Sequence, residues 1–250
     1  MIRFESLARY RNITHFVTTR IGGVSLPPYD SLNLGFGTRD NPEHVLENRK
    51  RLADSINVPL GSFVVAKQVH GDRIAVVTES DKGHGASNYE TALDATDALI
   101  TDIPGICLMV LLADCTPVLL YDPVKRVAAA VHAGWQSTAK QIGRKTVEVM
   151  RHSYGCRPED IVAGIGPSIG ACCYEVGHEV ISQFEAGLVD ELGHLDLWEA
   201  NRRQLTEAGV LPEHIEVAGI CTKCNAHRFF SERHMPGTGR FGAGIMLAGG

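Results

Sequence analysis

The apolar run over residues 103–113 stops at Asp114-Cys115, and Thr116-Pro117 follow at once. It is shorter than the roughly 18 residues a membrane helix needs. It also lacks the apolar–polar alternation of a strand with one wet face, so it belongs in a sheet covered on both sides. Further strand candidates, several also continuous, are 63–69, 73–78, 98–101, 106–112 (inside that run), 117–121, 127–131, 161–165, 215–220 and 244–247. Helical spacing predicts helices over 42–56, 137–154, 176–187 and 197–208, the first opened by Asn41 as N-cap and Pro42 at N1. No repeat, low-complexity tract or linker interrupts this order. The expectation is one domain over residues 1–250, an α/β or α+β sandwich.

Composition narrows the function classes. Apolar residues make up 44% of the chain and charged residues 21%, ordinary globular usage, so a packed core rather than disorder is expected. A formal net charge of -5 argues against nucleic-acid binding, which needs a basic footprint. A local basic pocket for one small anion stays open. The first residues break every apolar run with charge, so neither a secretion leader nor a membrane anchor is expected. Seven cysteines is an odd number in a chain large enough to bury a core. Cytoplasmic thiols or metal ligands are therefore expected rather than a disulfide framework.

Three segments share one pattern, in which a candidate ligand closes an apolar run beside a tight turn: Gln68-Val69-His70-Gly71, Ala113-Asp114-Cys115-Thr116-Pro117 and Val131-His132-Ala133-Gly134-Trp135. Two imidazoles and a thiolate suit zinc, and three protein ligands would leave a fourth position for water or substrate. Each residue alone is equally a polar strand terminator or an inert core thiol. Cys115 with His132 as base would also make a nucleophilic dyad on the same atoms. Arg49 is a separate anomaly, because it falls inside the apolar stripe of the 42–56 helix, between Val45 and Leu52. A buried guanidinium must be paired or meet an anion. It either pairs internally, with Asp114 as the partner, or points into a cavity that takes phosphate or carboxylate.

Cys221-Thr-Lys-Cys224 is a C-x-x-C without a second copy, and its potential partners Cys172-Cys173 are adjacent, which is poor chelate spacing. Structural or incidental thiols are expected there. The glycine-rich stretches 164–170 and 237–242 lack both the dinucleotide spacing and a P-loop lysine.

Taken in order, the motifs resemble the laccase-domain, or multicopper polyphenol oxidase, family. They are Thr18-Thr-Arg20-Ile-Gly22-Gly23-Val24-Ser25, Tyr29-Asp-Ser31-Leu-Asn33-Leu-Gly35, Asn48-Arg49, Gln68-Val-His70-Gly71, Ala113-Asp114-Cys115-Thr-Pro117, His132-Ala-Gly134-Trp135, Gly166-Pro-Ser-Ile-Gly170, Cys221-Thr-Lys-Cys224, Phe230-Ser231 and Gly237-Thr-Gly-Arg240. Members of that family have been reassigned as zinc-dependent purine nucleoside phosphorylases. The resemblance implies an α/β/β/α layered sandwich, similar to a toxin group of cysteine hydrolases. It implies zinc on His70, Cys115 and His132, with copper as the other metal. It implies phosphorolysis of adenosine, inosine and methylthioadenosine, with adenosine deamination as a side activity. The partners would then be a purine nucleoside and phosphate, in a monomer or homodimer. Arg49 maps onto the family's phosphate arginine. Asn33 and Gln68 stand with it as candidate phosphate or substrate ligands, and Asp114 as a candidate proton carrier or support for Cys115.

Gln136 and Ser137 depart from the family, which continues His-Ala-Gly-Trp with a cation and a glycine. A cation near the site is lost and a turn glycine is replaced. Two alternatives stay alongside, a polyphenol oxidase and a metal-free Cys-His hydrolase. A multicopper site needs His-x-His pairs, and none of the eleven histidines forms one.

Overall fold

The computed structural model describes residues 1–249. Its strands are β1 (Ile13–Val17), β2 (Phe63–Val65), β3 (Ile74–Val76), β4 (Ala98–Thr101), β5 (Cys107–Leu112), β6 (Thr116–Asp122), β7 (Val127–Ala133), β8 (Val162–Ile165), β9 (Ile215–Val217) and β10 (Phe241–Leu247). Its helices are α1 (Glu5–Ala8), α2 (Pro42–Ser55), α3 (Trp135–Ala139), α4 (Ile142–Tyr154), α5 (His178–Ile181) and α6 (Leu197–Glu207). The strands form a four-stranded sheet, β1-β10-β5-β2, and a six-stranded sheet, β3-β4-β7-β6-β8-β9.

Strand periodicity explains the layering. Along β6, Leu119 and Tyr121 face the core between the two sheets, with Leu108, Val110 and Leu112 of β5 and Ala243 and Ile245 of β10. The alternate residues Val118 and Leu120 turn outward onto Ile142, Val147 and Met150 of α4 and Leu205 of α6. On the far side of the smaller sheet, Phe16, Phe63, Val65 and Met109 pack against Leu52 and Ala53 of α2. The order is helix, sheet, sheet, helix. Both sheets are covered on both faces, as the continuous apolar runs require. Each fully buried Val or Leu in these layers contributes about 1.5–3 kcal/mol of transfer free energy.

The structure adds and corrects elements. β1 and α1 were not expected. The helix expected over 137–154 is two helices, broken where Gln141 adopts φ 61°. The helix expected over 176–187 shrinks to the four residues of α5. The strand expected to carry His70 ends five residues earlier, at Val65.

Two features of this frame place the site. β5 lies in the smaller sheet and β6 in the larger, so the short turn at 113–115 carries the chain from one sheet to the other. β6 and β7 then pair antiparallel with Pro117 opposite His132. That register sets the histidine beside the sheet-to-sheet turn.

Candidate metal centre

His70, Cys115 and His132 converge, their ligating atoms within 4.8 Å of one another. Cys115 Sγ lies 3.6 Å from His70 Nε2, and the two imidazoles meet edge to face at 4.9 Å between centroids. The three mounts differ. His132 is the penultimate residue of β7, inside the strand rather than after it. Cys115 sits in the turn between the sheets. His70 stands in a loop with φ 58°, and Asp114 beside Cys115 has φ 84°, a left-handed conformation that non-glycine residues hold only when their surroundings enforce it.

The residue that enforces it at His70 is Asp97, just before β4. One of its oxygens accepts from His132 Nδ1 at 2.8 Å and from the His70 amide at 3.0 Å. The other accepts from the amides of Gly71 and Val69 at 2.8 and 3.2 Å. Sequence reasoning missed Asp97. Asp97 precedes the apolar run 98–101 instead of closing one, so it falls outside the pattern shared by the three ligands.

Electrostatics follow from this geometry. Burial pushes the Asp97 carboxyl upward, but the hydrogen bond and charge of His132 and the loop amides more than offset it, and the group ends below the usual carboxylate range. Burial also pushes the Cys115 thiol up, yet the His132 charge and hydrogen bonds to both histidines bring it down to about 6. Burial pulls His132 down, but the Cys115 charge and Asp97 raise it to about 9. Each partner thus favours the charged form of the other.

These residues fit a metal. The thiolate is favoured, and Asp97 on Nδ1 leaves His132 Nε2 to face the site, the outer arrangement common to metal-bound histidines. Gly134 completes the fit, because a Cβ there would stand 2.9 Å from His70 Cδ2 and 3.0 Å from Cys115 Sγ. The hollow at the three ligands exists only because residue 134 has no side chain.

His70, Cys115 and His132 line a cleft of about 300 Å³ with Gln68, Lys67, Tyr89, Glu232, Arg240 and the segment around Gly35, Gly37 and Thr38. Arg240 pairs with Glu232 at 2.8 Å and Lys67 with Asp94 at 2.9 Å. Lys67 Nζ stands 5.4 Å from the centre of the Tyr89 ring.

Four further candidate residues from the sequence are held within the protein by their own hydrogen bonds. Arg49 is buried and does not line the cleft. Its guanidinium donates to the carbonyls of Leu34, Gly85 and Ala86 and stacks on Phe36. Among the described residues no carboxylate pairs with it, so the ion pair with Asp114 is wrong. Burial lowers its pKa to about 9, which leaves it charged at neutral pH behind the cleft wall. Asn33 is fully buried. Its Nδ2 donates to Thr38 and Asp40, and its Oδ1 accepts the amides of Gly35 and Arg240, so it ties the segment around Gly35 to Arg240. Asp114 accepts from Thr222 Oγ1 at 2.6 Å and from the Arg233 amide at 2.7 Å, contacts that brace the Cys115 turn. Gln68 does line the cleft, while its amide exchanges two hydrogen bonds with the Leu111 backbone, like one more rung of the sheet. Gln136 and Ser137 lie in α3 and do not line this cleft.

Comparison with known proteins places this arrangement. The family model described as multi-copper polyphenol oxidoreductase laccase matches residues 14–248. Purine nucleoside phosphorylase YlmD of Bacillus subtilis is 42% identical over 234 residues, covering 89% of this chain and 84% of its own. A purine nucleoside phosphorylase of Bacteroides thetaiotaomicron is 39% identical over 259 residues, covering 99% and 96%. The crystal structure of YlmD from Geobacillus stearothermophilus superposes with a TM-score of 0.93 at 37% identity, covering 96% of this chain and 93% of that one. On this match of sequence and fold together, the chain belongs to the multi-copper polyphenol oxidoreductase laccase family.

Proposed function

We propose that this chain is a purine nucleoside phosphorylase, cleaving adenosine, inosine or methylthioadenosine with phosphate to the free base and the pentose 1-phosphate. The observation that carries the reading is the cleft itself, which sets a metal-capable His-Cys-His group beside two cations and an aromatic face. The relatives named purine nucleoside phosphorylase support it.

Phosphorolysis builds positive charge on the sugar and negative charge on the leaving base, so the protein must hold an anion near the sugar and accept charge at the base. Arg240 and Lys67 are the cations that line the cleft, and they take the phosphate in this reading in place of Arg49. Glu232 holds the Arg240 fork in position. Arg49 adds a fixed positive field from behind the wall. Tyr89 offers its ring to the purine. His70, Cys115 and His132 would hold zinc, which supplies a Lewis-acid charge when bound. Zinc is preferred to copper because, among the described residues, only two histidines join a metal-capable group. Adenosine deamination would use the same cleft. The described helices include none long and apolar enough to cross a membrane, and the seven cysteines are unpaired, which supports a cytoplasmic setting.

A second reading has its own observation. Cys115, His132 and Asp97 form a nucleophile, base and orienting carboxylate in sequence of contact, the layout of a cysteine hydrolase.

The deciding assay incubates purified protein with each nucleoside, with and without phosphate, and measures free base and pentose 1-phosphate. Base release that requires phosphate and disappears on chelation is expected. Removing one charge-assisted contact in Arg240→Ala should raise KM for phosphate by about 10-fold or more. If no base appears with phosphate in any of the three, the phosphorylase reading fails. If turnover of an ester or amide persists in metal-free protein, the hydrolase reading replaces it.

A further inference from the structure

Outside the cleft, the fold gathers four cysteines that the sequence spacing argued against. Cys172 and Cys173 lie in the turn after β8, and Cys221 and Cys224 in the turn after β9. Their four sulfurs lie within 4.8 Å of one another. Cys224 Sγ stands 3.4 Å from Cys173 Sγ and 3.7 Å from Cys172 Sγ.

These distances select among chemistries. A disulfide brings two sulfurs to about 2.05 Å. Four sulfurs around a tetrahedral zinc at about 2.3 Å stand about 3.8 Å apart, the edge of that tetrahedron. The two Cys224 separations, 3.4 and 3.7 Å, lie near that edge and far from a disulfide bond, and the remaining sulfurs stay within 4.8 Å. Adjacent cysteines chelate poorly in an extended chain, but Gly170 and Cys173 close a turn through a 2.9 Å hydrogen bond, which brings both thiols to one side. Gly170 also permits the loops to approach, since a Cβ there would lie 2.7 Å from the Trp198 ring and 3.3 Å from Cys221 Cβ.

We infer that Cys172, Cys173, Cys221 and Cys224 form a second metal site, closed by four thiolates, that binds zinc or another thiophilic divalent ion for structural purposes. Cys172 and Cys224 are exposed, which gives the ion a way in. The site ties together the two loops that support the Cys115 turn. Thr222, next to Cys221, donates its hydroxyl to Asp114 and its amide to the Ser168 carbonyl, and Ile169 donates to the Asp114 carbonyl.

The test is metal stoichiometry by inductively coupled plasma mass spectrometry on protein purified without oxygen. About two zinc ions per chain are expected in the wild type and about one in His70→Ala, which has lost only the cleft site. The double variant Cys172→Ser/Cys224→Ser should retain about one. Cobalt substitution gives a reading that needs no variant, because five thiolate ligands per chain yield far stronger sulfur-to-cobalt charge-transfer absorption than one. A single zinc in the wild type with none in His70→Ala would overturn the inference. So would an intact mass, under non-reducing conditions, lower by the hydrogens of a disulfide.

Discussion

Asp97 accepts four hydrogen bonds on two oxygens, three from the backbone around His70 and one from the His132 ring. It therefore holds one ligand by its ring and another by its main chain. Asp97→Asn keeps the shape but turns one oxygen into a donor facing amides that also donate. The variant should lose about 10- to 100-fold in metal affinity while its far-ultraviolet circular dichroism stays native, as read by competition with a chromogenic chelator. Unchanged affinity would reduce Asp97 to a loop anchor. At this scale the sequence was legible where chemistry and chain position coincide. His70, Cys115 and His132 announce themselves because each interrupts an apolar run beside a turn. Asp97 did not, since an acid before a strand is ordinary and its partners lie 26 to 35 residues away along the chain. Arg49 was correctly singled out as buried, but an apolar stripe says nothing of which carbonyls wait opposite. Spacing along the chain sets the two cysteine pairs apart, because the turn that brings their sulfurs within 4.8 Å of one another is a product of the fold.

Among the elements, the break between α3 and α4 shows how a single backbone conformation overrides periodicity. The 3.6-residue spacing runs on through Gln141, so sequence alone predicts one helix. Gln141 nonetheless lies in the left-handed region at φ 61°, donating to the Thr138 carbonyl behind it and accepting from the Lys145 amide ahead. A left-handed non-glycine residue costs about 1–2 kcal/mol. Gln141→Gly removes that strain but adds unfolded-state entropy, so a net gain of about 0.5–1 kcal/mol is expected, seen as a higher midpoint in urea with an unchanged slope. A loss of stability would mean that the Gln141 side chain contributes more than its backbone costs. The strands were legible because both faces of each sheet are covered, which leaves long apolar runs. β1 was missed because Thr14 and His15 interrupt its pattern.

Across the whole molecule, His15 links the first strand to the pH response of the fold. Its Nε2 accepts the Phe4 amide at 2.9 Å, which requires a neutral ring. Burial and the Arg3 charge lower its pKa to about 4, against a raising influence from Glu216. The unfolded chain takes up the proton near pH 6.5, while the native chain refuses it until about 4. Stability is therefore full above about pH 6.5 and falls as pH drops through that window, by on the order of 3 kcal/mol at most. His15→Gln, which keeps an acceptor and cannot titrate, should flatten the decline in denaturation midpoints measured between pH 7 and 4. An unchanged slope would assign acid sensitivity elsewhere.

The layered architecture was legible as a class, and its topology was not, because apolar runs report coverage and not neighbours. One consequence of that topology reaches beyond catalysis. His70 hangs from the loop that leaves the smaller sheet, His132 belongs to the larger, and Cys115 lies where the chain passes between them. No half of the protein owns the ligand set. A nascent or partly unfolded chain has the three residues but not their arrangement, so the group that could take a metal is complete only when both layers have docked. Metal capture thereby becomes a report that assembly is finished.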